Sequence, residues 1–222
     1  MTVAFTDLAE TCAPAVAVET LAAVVSLESH FRPFNIRINS GLPLDRQPKS
    51  KAEAIETAAT LVAEHQDIQL GLGGVGIKEL RRLNLAISDA FDPCLNLKAT
   101  ATLLDGYYRL AVRAGAASRQ AERVMLQSYY GRSDPSVGAM VQYDAQVQRE
   151  AKRLSSRLAT LTIGQGPDGP DAADVQALAK SSIAKAEASQ QPVAKAPSWD
   201  VFNAARRSSA LVFQNDQSEQ PK

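Results

Sequence analysis

The chain has 222 residues with 24 basic and 24 acidic side chains, so its formal net charge is zero. That balance argues against a nucleic-acid binder, which carries a basic patch or stripe. No apolar run approaches the ~20 residues needed to span a bilayer, and a hydrophobic fraction of 45% suits one ordinary globular domain with an appendage.

The start, Met1-Thr-Val-Ala-Phe-Thr-Asp-Leu8, has no basic region and no long apolar core, so it makes a poor signal peptide. Either the start is mature or trimmed, or export uses a weak signal. Residues 16 to 32 form a helix at 3.6 residues per turn, with Val18, Leu21, Val24, Val25 and Phe31 on one side. Glu28 falls near the middle of that stripe, whereas Glu19 faces away. A carboxyl on an apolar face is costly to ionise, so its pKa rises, and a neutral carboxylic acid can protonate a leaving group. The plainer alternatives are a glutamate at the stripe's edge, one that snorkels to water, or one paired with Arg32.

Phe34-Asn-Ile-Arg-Ile-Asn39 alternates, as a short strand or an extended binding loop would. Ser50-Lys-Ala-Glu53 is a capping box that opens a helix through about His65. A short helix is expected at residues 78 to 84. After the Asp92-Pro93 break, Leu97, Ala101, Leu104, Tyr108 and Ala111 mark a longer helix ending near Gly115. Ser118 caps the next, with Ala121, Val124, Met125 and Tyr129 inward, and residues 131 to 135 turn the chain. Val137, Met140, Val147, Ala151, Leu154 and Leu158 indicate one more helix. No βαβ pattern appears, which excludes a dinucleotide fold of that kind.

From Gly164 the composition changes. Gly164-Gln-Gly-Pro-Asp-Gly-Pro170 reads as a linker, and the remainder of the chain is rich in Ala, Ser, Gln, Lys and Pro. Such a segment buries little core and is expected to be largely disordered, with a transient helix near 171 to 187. Trp199 to Phe213 is either a docking segment or a sticky, functionless tail. The expected division is a folded domain at 1–160 and a low-complexity tail at 161–222.

Leu70-Gly-Leu-Gly-Gly-Val-Gly76 lets backbone approach a bulky ligand, or else is a flexible turn between helices. It lacks the lysine and Ser/Thr of a phosphate loop, and no strand is expected before it. Gln127-Ser-Tyr-Tyr-Gly131 supplies tyrosines able to stack on sugars and hydrogen-bond an acid, or an aromatic helix end packed on the core. His30 and His65 lack ligand-like spacing, so no metal site and no cofactor is expected. His30 reads as a solvated surface residue. Cys12 and Cys94 allow one disulfide or two buried thiols, and the residues alone leave that open.

Taken in order, ETLAAVVSLESHFRPFNIRINS, DIQLGLGGVGIKELRRLNL, FDPCLNLKATATLL and QSYYG resemble the soluble lytic transglycosylase domain over roughly residues 8 to 155. More narrowly, with CAPAVAVETLAAVVSLES, the chain resembles the peptidoglycan-cleaving component of VirB-type type IV secretion systems. The resemblance implies an α+β, predominantly α, lysozyme-like domain in the periplasm. It implies Glu28 as sole catalytic carboxylate, Ser29 as the motif serine, and Gly71, Leu72, Gly73 and Gly74 as lining of a glycan groove. Tyr129 is expected to hydrogen-bond Glu28, beside Tyr130, which stands where asparagine is frequent. The resemblance also implies a disulfide between Cys12 and Cys94. Partners would be peptidoglycan strands and other secretion components, with the tail as the candidate contact.

The chain departs from the family at Gly74, where glutamine is usual. Losing one such polar contact costs on the order of 1–3 kcal/mol of transition-state binding, and a glycine there leaves the groove less preorganised. The expected activity is cleavage between N-acetylmuramic acid and N-acetylglucosamine with closure of a 1,6-anhydro ring. The rivals are a non-catalytic glycan-binding assembly protein and a lysozyme-type hydrolase.

Overall fold

The computed structural model describes residues 3–39 and 41–164. The expected linker beyond Gly164, the 171–187 helix and the Trp199–Phe213 segment lie outside the described residues. The architecture is predominantly helical with two small antiparallel sheets, an α+β fold of lysozyme-like kind. Among the described residues no helix is long and apolar enough to cross a membrane.

Strand β1 (Val3–Ala4) leads into helix α1 (Phe5–Cys12), whose Phe5, Ala9 and Cys12 are buried. Helix α2 (Val18–Ser29) is the central element. The sequence suggests one apolar stripe, but Leu21 through Ser26, Glu28 and Ser29 are all buried. The reason is that α2 divides two cores. Ala23 and Val24 join a cluster with Ile36, Leu70, Leu104 and Tyr129, while Leu21, Ala22 and Val25 join one with Phe5, Leu72 and Leu97. From Leu21 onward the helix is buried on both sides, so Glu28, unlike the exposed Glu19 of the first turn, has no solvated face to turn to. His30 ends α2 in the left-handed conformation (φ 53°), its N–H donating to the Ser26 carbonyl.

Strand β2 (Ile36–Ile38) pairs with β3 (Ile68–Leu70), which pairs with β4 (Val75–Gly76), so β2 is an edge. Helix α3 (Lys51–Ala63) lies between β2 and β3 in sequence. Its Ser50 cap accepts from the Glu53 N–H at 3.2 Å, while the Glu53 carboxylate reaches back to the Lys49 N–H at 2.8 Å, one residue before the usual partner. The expectation that no strand precedes the glycines is corrected: β3 does, and the glycines form the turn of a β3–β4 hairpin. Three residues are too few for alternation to register as a strand signal.

Helix α4 (Ile77–Arg82) comes directly after β4. Helix α5 (Pro93–Arg113) starts with Pro93 in its first turn and the Asp92 carboxylate accepting from the Leu95 N–H at 3.0 Å. A disulfide joins Cys12 to Cys94 and ties α1 to α5 across 82 positions. Helix α6 (Ser118–Tyr130) begins after an extended Ala117 that makes no side-chain cap, so Ser118 is its first residue and not its cap. The single helix expected from Val137 to Leu158 is two. Helix α7 (Pro135–Met140) and helix α8 (Tyr143–Leu154) are separated at Gln142, which is left-handed at φ 53°. Gly138 lets α7 lie directly on the Gln127 backbone of α6. Strand β5 (Thr162–Ile163) pairs with β1 and returns the chain to its start, just past residue 160.

Candidate functional site

Glu28 is one residue from the C-terminus of α2, and its side chain is 3% exposed. The Tyr143 hydroxyl donates to Oε1 at 2.7 Å, and Arg37 Nη2 donates to Oε2 at 2.5 Å. Arg37 comes from β2, and its Nε also donates to Gln69 Oε1 on β3 at 2.6 Å. Gln69 faces Arg37 because the two are register partners in the sheet. The Asn35 amide donates to the Glu28 carbonyl at 3.2 Å, which steadies the end of α2. Both carboxyl oxygens are therefore held, one by a neutral donor and one by a cation.

The electrostatics oppose one another. Burial raises the Glu28 pKa, while Arg37, the Tyr143 hydroxyl and, more weakly, Arg132 lower it; burial wins and the net direction is up. Arg132 is itself tied to Asp67 at 2.6 Å. Burial and the neighbouring Glu28 raise the Tyr143 and Tyr129 hydroxyls, so both stay protonated and act as donors.

The tyrosine expectation is corrected. Tyr129 does not bond Glu28; its hydroxyl donates to the Gly73 carbonyl at 2.6 Å and so holds the hairpin turn. The hydroxyl on Glu28 belongs to Tyr143, fourteen places later in the chain. The cause is the break at Gln142, which starts a new helix with Tyr143 as its first residue. Tyr130 packs against the Tyr143 ring, centroids 4.9 Å apart, and supports it from the side.

The glycine loop divides in two. Gly71 and Gly73 are packing glycines, for a Cβ at either would collide with Asn96 or Thr100 of α5. Asn96 also accepts from the Gly73 N–H at 2.8 Å and donates to the Leu70 carbonyl at 3.1 Å, pinning the turn. Leu72 points into the core, fully buried. Gly74 alone meets the acid: it is left-handed (φ 65°), and a Cβ there would lie 2.9 Å from Glu28 Oε2. Ser29 is fully buried and spends its hydroxyl on the Val25 carbonyl at 3.0 Å. Ser29, Gly71, Leu72 and Gly73 thus face the interior, and Gly74 and Tyr130 lie at Glu28 or its tyrosine.

Sequence reasoning passed over Tyr143, Arg37, Gln69 and Asn96. For Tyr143 a signal existed: it precedes Val147 by four and Leu154 by eleven, which puts a hydroxyl on the buried face of α8. Arg37 alternates with Ile36 and Ile38 and so reads as a solvated strand residue. A hollow of about 440 Å³ elsewhere, beside Leu103 and Gly106 of α5, contains none of these groups.

Comparison with known proteins supplies a relationship. The chain is 40% identical over 129 residues to the type IV secretion system protein virB1 of Brucella suis, covering 58% of this chain and 54% of that protein. The chain is a relative of the VirB1 proteins. It is 29% identical over 154 residues to protein virB1 of Agrobacterium fabrum, covering 68% of this chain and 60% of that one. A virB1 protein of Rhizobium radiobacter is 33% identical over 105 residues. The chain spans about half the length of the curated VirB1 relatives it matches. No family model and no solved structure matches.

Proposed function

We propose that the chain is a peptidoglycan lytic transglycosylase with Glu28 as its sole acid and base. The observation that carries this reading is a buried carboxyl whose pKa is raised, with Tyr143 and Arg37 on its two oxygens. Protonated Glu28 gives its proton to the oxygen of the bond between N-acetylmuramic acid and N-acetylglucosamine. The C6 hydroxyl of the muramoyl residue attacks C1, and its proton passes to the Glu28 carboxylate. A 1,6-anhydro ring closes and the acid is regenerated without water. A hydrolase that retains or inverts uses two carboxyls about 5–9.5 Å apart; a substrate that brings its own nucleophile needs only one.

The Tyr143 hydroxyl steadies the carboxylate formed after proton donation, and Gly74 allows the hairpin turn to reach the acid. The kinship with VirB1 proteins supports a role in opening the wall locally for a type IV secretion apparatus, with other secretion components as partners. The Cys12–Cys94 disulfide suits an oxidising compartment such as the periplasm.

A second reading has its own observation. Glu28 is held in an ion pair and is almost closed to solvent, as a non-catalytic glycan-binding assembly protein would tolerate. Mass spectrometry of fragments released from purified peptidoglycan separates the readings. Anhydro-muropeptides are expected. Reducing-end products would mean a lysozyme-type hydrolase, and glycan binding without products would mean an assembly protein.

A further inference from the structure

We propose that Arg37 is a latch on Glu28, opened by a carboxylate on the bound glycan, so that the acid is armed only by an anionic strand. The inference rests on the transglycosylase reading and names what that site would select.

Arg37 opposes the proton that Glu28 must hold to act as an acid. A carboxylate paired with a guanidinium has no proton to give. Of the groups that touch the Glu28 carboxyl, Tyr143 and Gly74 are buried, and only Arg37, at 37%, has a substantially exposed side chain. A ligand approaching Glu28 from solvent meets Arg37 on the way. Arg37 stands on β2, the edge of its sheet, where the Gln47 side-chain amide caps the outward N–H and carbonyl of the neighbouring Ile36. Its bonds to Glu28 and Gln69 use Nε and Nη2, which leaves Nη1 to take a new acceptor. A guanidinium fork prefers to grip a carboxylate with two parallel hydrogen bonds, whereas on Glu28 it makes one.

A glycan carboxylate therefore competes for Arg37 on favourable terms. The groups facing Glu28 from other elements are Tyr143 of α8, Tyr129 of α6 and Arg132 after α6. Once Arg37 turns to the ligand, Tyr143 and Tyr129 stay neutral and Arg132 remains bound to Asp67. Burial, which already outweighs Arg37, then loses its strongest opponent, and Glu28 takes a proton from solvent before the strand closes over it. A neutral glycan leaves the ion pair intact. Two carboxylates are available chemically, that of the lactyl ether and those of a stem peptide.

The test compares kcat/KM on three tetrasaccharides: peptide-free with a free lactyl carboxylate, peptide-bearing, and all N-acetylglucosamine. For the wild type, at least one anionic ligand is expected to exceed the neutral one by about tenfold, the worth of one good hydrogen bond. Preference for the first or the second names the lactyl or the peptide carboxylate as the trigger. In Arg37→Gln the ratio is expected to fall to near one, while Arg37→Lys retains part of it. An unchanged ratio in Arg37→Gln overturns the latch. A second readout does not depend on turnover: ¹³C NMR titration of the Glu28 carboxyl with each tetrasaccharide. The anionic ligand is expected to move that titration to higher pH and the neutral one to leave it. No movement, whether because the ligand fails to bind or because it binds without drawing Arg37 away, also overturns the latch. No cleavage by the wild type alongside a moving titration sinks the transglycosylase reading and keeps the latch.

Discussion

Tyr143 and Glu28, 115 positions apart, meet hydroxyl to carboxyl at 2.7 Å in the buried centre of the domain. Their helices α2 and α8 are packed together, and a second polar contact, from Ser26 to Glu150, joins the same pair of helices. The glutamate is thus aimed by a helix–helix interface and does not depend on a loop.

Removing that hydroxyl isolates its effect. Tyr143→Phe keeps the ring stacked on Tyr130 and deletes one donor to the carboxylate. The expected loss is about 1 kcal/mol, or roughly fivefold to tenfold in cleavage rate. Because the hydroxyl favours the charged form, its loss also moves the fall of activity at high pH to still higher pH. A rate–pH profile checks both. Tyr129→Phe is the contrast, expected to lower the melting temperature while leaving the position of that limb unchanged, since its hydroxyl serves the Gly73 carbonyl.

The raised pKa of Glu28 has a stability consequence. A carboxyl that binds its proton more tightly in the folded state favours folding below its unfolded pKa. That contribution is lost as pH rises through the folded value. Glu28→Gln is therefore expected to raise the melting temperature at neutral pH. The gain shrinks towards acid pH. Melting curves of the two proteins across pH check the sign.

Gly74 lies against the acid, and any side chain placed there is expected to harm the protein. The position is left-handed, and any Cβ lies 2.9 Å from Glu28 Oε2. Gly74→Ala is expected to cost about 1–2 kcal/mol from the backbone alone. Gly74→Gln adds displacement of the acid, so cleavage falls and does not recover. Denaturant midpoints and rates on the same preparations measure the two effects.

The disulfide acts at a distance from the chemistry. It closes a loop of 82 positions between α1 and α5, worth about 4 kcal/mol in the chain-entropy model. Cys12→Ser with Cys94→Ser is expected to lower the denaturant midpoint sharply. At temperatures where the variant stays folded, kcat should be unaltered.

The position of Glu28 was legible because one carboxyl broke an apolar run, and such a break needs a physical reason. The capping box at Ser50 and the Asp92-Pro93 helix start were legible because local hydrogen bonds determine them. The hairpin strands were not, since three-residue strands have no period to detect. The Arg37 pairing was hidden because it depends on the register of β2 against β3 and on the reach of a long side chain. The Tyr143 contact was hidden because the QSYYG motif drew the tyrosine role to Tyr129, whereas Tyr143 reaches Glu28 only as the first residue of a helix that starts after a left-handed Gln142.

The most direct test of the account is release of soluble fragments from purified peptidoglycan by the wild type and by Glu28→Gln, with glycan binding measured on both. Anhydro-muropeptides from the wild type, none from Glu28→Gln, and equal binding by both are expected. Release by Glu28→Gln at the wild-type level would contradict the assignment of Glu28 as the acid.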